Sequence, residues 1–124
     1  MNLLLDTHAL LWWLAGVPMD REVRARISES SALVAVSAAS VWEANVKQAL
    51  GKLRFDGSLL DHVHQGGFEP LPISLEHAER AGRLPPHHRD PFDRMLVAQA
   101  QAEGLTLVTR DPAFHAYEVE VLRC

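Results

Sequence analysis

Residues 90–111 read DPFDRMLVAQAQAEGLTLVTRD, and this stretch decides the fold. Asp90-Pro91 is a strong helix start: Asp accepts from the free amides of a first turn, and Pro has no amide to leave unpaired. Leu96, Val97 and Ala100 then share one helical face with Asp93. Gly104 stops the helix, as a left-handed residue after a last turn does. Leu105 to Val108 follows at once as a largely apolar run, which suits a strand covered on both faces. A helix over 90–103 feeding directly into a buried strand is the repeating unit of an α/β domain with a parallel sheet.

The same alternation extends outward in both directions. Leu3 to Leu5 reads as a short buried strand, and Thr7 to Leu14 as a helix closed by Gly16 and Pro18. Asp20 to Ser30 reads as a second helix, with Val23 and Ile27 one turn apart. Leu33 to Val36 is a strand, Ser37 to Leu50 a helix ended by Gly51, and Leu59 to His64 a short helix ended by Gly66-Gly67. Phe68 to Ile73 is a strand carrying two prolines and therefore near an edge. Ser74 to Arg83 is a helix that Ser74 can cap, and Leu84 to Arg89 (LPPHHR) is a stiff connector. Pro112 to His115 is a turn or short helix, and Val119 to Leu122 the last strand. Right-handed crossovers between parallel strands bring strand C-termini and helix N-termini to one edge, where such sheets bind ligands.

Composition narrows the class. A chain of 124 residues, 48% hydrophobic, fits one domain spanning 1–124 with a buried core. There are 12 basic and 16 acidic residues, a net charge of −4, which argues against a passive nucleic-acid coat. The single cysteine, Cys124, permits no disulfide within the chain. The N-terminus lacks a basic region before its apolar stretch, and no run reaches the ~18–20 residues of a membrane span. The expectation is a cytoplasmic protein with no membrane contact.

Four acids fall at the inferred sheet edge. Asp6 ends the first strand, Glu43 lies in the helix after the second, Asp93 opens the helix of the deciding stretch, and Asp111 follows its strand. Clustered carboxylates repel one another unless a cation holds them, and oxygen-only donors favour hard ions such as Mg²⁺ or Mn²⁺. Each acid also has a structural reading. Asp6 and Asp111 fit as helix caps. Glu43 fits a capping box with Ser40, or an i, i+4 pair with Lys47. With Ser37 as cap instead, Glu43 sits in the helix body, at the margin of a face made by Trp42, Val46, Ala49 and Leu50. Asp90 is read as the cap beside Asp93. Four unrelated caps at one edge are harder to explain than one site.

The blocks LLLDTHALLWWL, SAASVWEANVKQALGKL and HRDPFDRMLVAQAQAEGLTLVTRD resemble PIN-domain proteins, most closely the VapC-type toxins of toxin–antitoxin pairs. The likeness runs from Met1 to about His115, and the family's acids fall on Asp6, Glu43, Asp93 and Asp111. It implies a three-layer α/β/α fold with a mainly parallel sheet of about five strands. It also implies a Mg²⁺- or Mn²⁺-dependent endoribonuclease, an RNA substrate, a cognate antitoxin that blocks the site, and a homodimer. A PIN-like module that only binds RNA or protein is the alternative. A receiver-type phosphoacceptor is disfavoured because Asp6 has no acidic neighbour and no lysine follows Lys52. A haloacid-dehalogenase-type phosphatase is disfavoured because Asp6-Thr7-His8 lacks a second aspartate.

The remaining polar and aromatic residues give weaker signals. Arg89, Arg94, Arg110, Lys47, Lys52 and Arg54 are candidates for holding RNA phosphates. Thr109 is placed to support a neighbouring carboxylate through its hydroxyl. His87 and His88 should point to different sides, and their loop position favours solvent. The adjacent Trp12 and Trp13 point about 100° apart on one helix. A partner groove is expected between the first helices and the third, near Trp12, Trp13 and Trp42.

Overall fold

The computed structural model describes residues 2–29 and 32–124. Strands and helices alternate as β1 (Leu3–Leu5), α1 (Thr7–Ala15), α2 (Arg21–Ser28), β2 (Val34–Ser37), α3 (Ala38–Ala49), α4 (Leu59–Gln65), β3 (Glu69–Leu71), α5 (Leu75–Arg83), α6 (Pro91–Glu103), β4 (Thr106–Thr109) and β5 (Val121–Arg123). A 3₁₀ turn, Pro112–Ala116, joins β4 to β5. The elements match the sequence reading to within a residue or two. The expected end of the second helix, Ser30, lies outside the described residues. The proline-bearing strand β3 is at an edge, where Pro70 has no ladder amide to lose. Among the described residues, no helix is long and apolar enough to cross a membrane.

The sheet runs β3-β2-β1-β4-β5, and all four pairings are parallel. Alternate residues feed two cores, as a pleated strand requires. Leu3, Leu5, Val34, Val36 and Val108 pack with Leu10 of α1, Val23 and Ile27 of α2 and Val63 of α4. Leu4, Ala35 and Leu107 pack on the other face with Leu96, Val97 and Ala100 of α6 and with Phe114. The result is a three-layer α/β/α fold.

The chain leaves β1 for β2 and β3 on one side, then returns to β4 and β5 on the other. The topological switch point therefore lies between β1 and β4, and the crevice beyond their C-terminal ends is the place for a ligand. Leu5 pairs with both Val36 and Val108, so Asp6, Ser37 and Thr109 emerge side by side at that edge.

Helix α3 turns a face of small and polar residues inward. The face carrying Trp42, Val46, Ala49 and Leu50 does not pack inward; Trp42 is 62% and Leu50 64% exposed. The buried face carries Ala39, Ser40, Glu43 and Ala44 instead. Polar anchors set this rotation. Ser37 accepts from Ala39 N–H, capping the helix, and donates to Gln99 of α6 at 2.5 Å. The small Ala39 and Ala44 let α3 lie close to α1 and α6. Apolar patterning on one helix does not show which side faces the sheet when the helix crosses the sheet's rim.

Candidate metal and active site

Each of the four acids is placed by the element that carries it. Asp6 sits between the last residue of β1 and the first turn of α1; its carboxylate accepts from Ala9 N–H at 2.7 Å and from the Thr109 hydroxyl. The expected support from Thr109 is thus present. The same hydroxyl accepts from Asp111 N–H at 3.0 Å, so one threonine links two of the acids. Burial pushes the Asp6 carboxyl up, against those two hydrogen bonds.

Glu43 is only 2% exposed. Its Oε1 accepts from the Thr7 hydroxyl at 2.5 Å and its Oε2 from the Lys47 ammonium at 2.7 Å. The i, i+4 pair with Lys47 and the buried position therefore occur together. The Glu43 hydrogen bond, ahead of the field of Asp90 and Asp93, holds the Lys47 ammonium charged above its ordinary range.

Asp93 is the third residue of α6. Asp90 caps that helix, accepting from Phe92 N–H at 2.8 Å and Asp93 N–H at 3.4 Å, as its Asp-Pro signature predicts. The Asp93 carboxyl is pushed up to about 7, first by burial and then by Asp90 and Glu43, with a smaller push from Asp6. Asp90, Glu43 and Asp6 thus all act on Asp93, and Glu43 acts on Asp6 as well. Asp111 caps the 3₁₀ turn through Ala113 N–H at 2.9 Å and is the most open of the four.

His88 is the residue that sequence reasoning misplaced. His87 is exposed and meets Tyr117 edge-on, but His88 turns inward and its side chain is 18% exposed. Its Nε2 lies 3.0 Å from Asp93 and 3.4 Å from Asp111. Tertiary contacts override the loop's preference for solvent: its backbone N–H donates to the Tyr117 hydroxyl, and Nδ1 accepts from Asp90 N–H at 3.1 Å. Because Nδ1 is an acceptor, the proton of the neutral ring sits on Nε2, aimed at the two acids. His88, Asp93 and Asp111 bring one donor atom each to within 4.8 Å of one another. Metal ligation by a neutral His88 through Nε2 would require the other tautomer and the loss of the Asp90 bond.

Two arginines proposed for RNA are occupied elsewhere. Arg94 donates to the carbonyls of Ala81, Leu84 and Pro85, tying α5 to α6. Arg110 donates to the carbonyls of Pro18 and Cys124 and lies 4.1 Å over the Trp12 ring. Arg89, Lys52 and Arg54 remain on the surface. Trp13 packs against the first core, so Trp12 and Trp13 do not line the apolar groove that Trp42 borders. That groove, about 490 Å³, runs between α3, α4 and β3, past Val41, Leu60 and Pro70.

Thr7 was not singled out from the sequence. Its only signal there is a hydroxyl in the turn directly after Asp6. Thr7→Val is expected to lower stability by about 1–3 kcal/mol in urea unfolding, because it strips a buried carboxylate oxygen of its donor. Thr7→Ser should recover most of that loss, and a valine variant as stable as wild type would remove Thr7 from this role.

The PIN-domain family model matches residues 3–120. No curated protein matches by sequence. Solved structures are similar over nearly the whole chain. VapBC2 from Rickettsia felis, bound to a promoter DNA fragment, has a TM-score of 0.74 at 16% identity, covering 100% of this chain and 99% of that one. FitAcB from Neisseria gonorrhoeae has 0.66 at 23%, covering 98% and 96%. VapBC-5 from Mycobacterium tuberculosis, a toxin–antitoxin family member, has 0.64 at 21%, covering 99% and 98%.

Proposed function

The chain belongs to the PIN-domain family, and from that membership and its acid cluster we propose a metal-dependent endoribonuclease, the VapC-type toxin of a toxin–antitoxin pair. The observation that supports this reading is the half-buried Asp93, grouped with His88 and Asp111 and pushed up to about 7 by burial and by the fields of Asp90, Glu43 and Asp6. Acids kept in such mutual repulsion suit a hard divalent cation, and the donor set is oxygen apart from His88.

Asp6 and Asp93 would be the principal holders of Mg²⁺ or Mn²⁺, with Asp111 completing the shell directly or through water. When bound, such an ion lowers the pKa of water and neutralises phosphate oxygens. Glu43, fixed by Thr7 and Lys47, would lend its negative charge to the site from a buried position. His88 holds the Asp93 and Asp111 carboxylates through its Nε2 proton. Arg89, Lys52 and Arg54 are surface cations open to an RNA backbone.

The VapBC neighbours are complexes, which supports a cognate antitoxin here too. A basic segment would set an Arg against the carboxylates, where pairing is strong, and lay an apolar helix in a groove. A homodimer also fits, since one chain leaves Trp42, Leu50 and Leu60 uncovered.

Expression of the chain alone should arrest bacterial growth, and co-expression of the antitoxin should relieve the arrest. Asp90→Asn should still arrest growth, because Asn caps about as well as Asp; Asp93→Asn should not. Equal loss in both variants would place Asp90 among the metal ligands. Unimpaired growth with wild type would count against a toxin.

A further inference from the structure

We propose that the Lys47 ammonium is the second cation of this site: it occupies the position beside Glu43 that a second divalent ion would need, so the chain loads one divalent ion. The inference rests on the metal-site reading above and specifies it further. A cluster of four carboxylates at a nuclease centre leaves one-ion and two-ion arrangements both open, and in two-ion sites the ions stand roughly 3.5–4 Å apart.

Glu43 is the acid that would hold the second ion, and it is already engaged at both oxygens. Thr7 takes Oε1, and Lys47 takes Oε2 at 2.7 Å. Glu43 is 2% exposed, so almost no solvent-facing surface is left on which a further ligand could add. A divalent ion binds a carboxylate oxygen at roughly 2.1 Å. An ion on Oε2 would share that single atom with an ammonium already 2.7 Å from it. Two cations on one oxygen atom repel strongly in a buried setting.

Lys47 is also suited to act as a permanent charge. It is one turn from Glu43 on the same helix, so its stem is short of freedom and its head is delivered to the acid by the backbone. Among the described residues Glu43 is the ammonium's only hydrogen-bond partner, and the Lys47 side chain is 34% exposed. An ammonium has three N–H donors, which leaves two for a phosphate oxygen at the site. The fields of Asp90 and Asp93 act on it in the same sense as Glu43. A lysine so held supplies positive charge without a second metal equivalent.

The test is the stoichiometry of Mn²⁺ binding, by titration calorimetry and by electron paramagnetic resonance of the purified full chain. Wild type should bind one Mn²⁺ per chain, with the spectrum of an isolated ion. Lys47→Gln keeps a neutral donor for Glu43 but loses the charge, and it should bind two, with spin coupling between the ions. Lys47→Arg should return the count to one. Should the glutamine variant fail to fold, Lys47→Met, which preserves most of the stem, takes its place. Two ions in wild type, or one in the folded neutral variant, would overturn the proposal while leaving a metal site in being. No Mn²⁺ bound by wild type would instead remove the metal-site reading, and this inference with it.

Discussion

Asp93→Asn, Asp6→Asn and Asp111→Asn should each lower RNA cleavage by about three orders of magnitude or more, measured with labelled RNA under matched Mn²⁺. A metal site needs the negative charge, and losing one ligand removes much of the electrostatic stabilisation of the transition state. Asparagine fills the same space and still caps a helix. Asp6 and Asp111 are both caps, through Ala9 and Ala113 N–H, so a variant that kept the cap and lost the charge separates the two roles. Circular dichroism of the variants should match wild type. Wild-type cleavage by any of them would take that acid out of the site.

The second large effect is on stability in the absence of metal. Asp93 has its carboxyl pushed from an ordinary 3.8 up to about 7 in the folded chain, chiefly by burial. The folded state therefore binds this proton more tightly than the unfolded state does. The stabilisation is fully present below about pH 4 and is lost as pH rises through about 7, a span on the order of 4 kcal/mol for this one group. Asp6, also pushed up by burial, acts in the same direction. In chelator, the urea midpoint should rise as the pH is lowered from 8 towards 5, and Asp93→Asn should lose most of that dependence. Saturating Mn²⁺ at pH 8 should restore stability by binding the ionised cluster. A midpoint that falls over the same pH interval, in wild type and Asp93→Asn alike, would contradict the assignment of Asp93 as the strained acid.

The alternation of elements was readable from the chain because its stop signals are strong. Gly16, Gly51 and Gly104 end helices, and Asp90-Pro91 and Asp111-Pro112 start them. Three of the acids were readable as edge residues for the same reason, since each sits directly at a strand end or helix start. What the sequence could not display depends on contacts far apart in the chain. The rotation of α3 is set by Ser37 on Gln99, 62 positions away, and by Thr7 on Glu43, 36 positions away. The apolar stripe of Trp42, Val46 and Leu50 therefore faces out, with Trp42 beside Phe92. His88 was read as a loop residue, yet Tyr117 and Asp90 hold it against two acids. Arg94 and Arg110 look like phosphate ligands by type and position, but backbone carbonyls already claim their guanidinium groups. Charge near a site is visible in a sequence; whether that charge is already engaged is not.

The most direct measurement is endonucleolytic cleavage of a labelled single-stranded RNA by the purified chain, freed of any partner, with Mn²⁺, with Mg²⁺ and with excess chelator. The four-acid account predicts internal cuts that need the divalent ion, stop in chelator and are absent with Asp93→Asn. RNA bound but left intact under every metal condition, by a chain shown to be folded, would contradict it and leave a PIN-like module that binds without cutting.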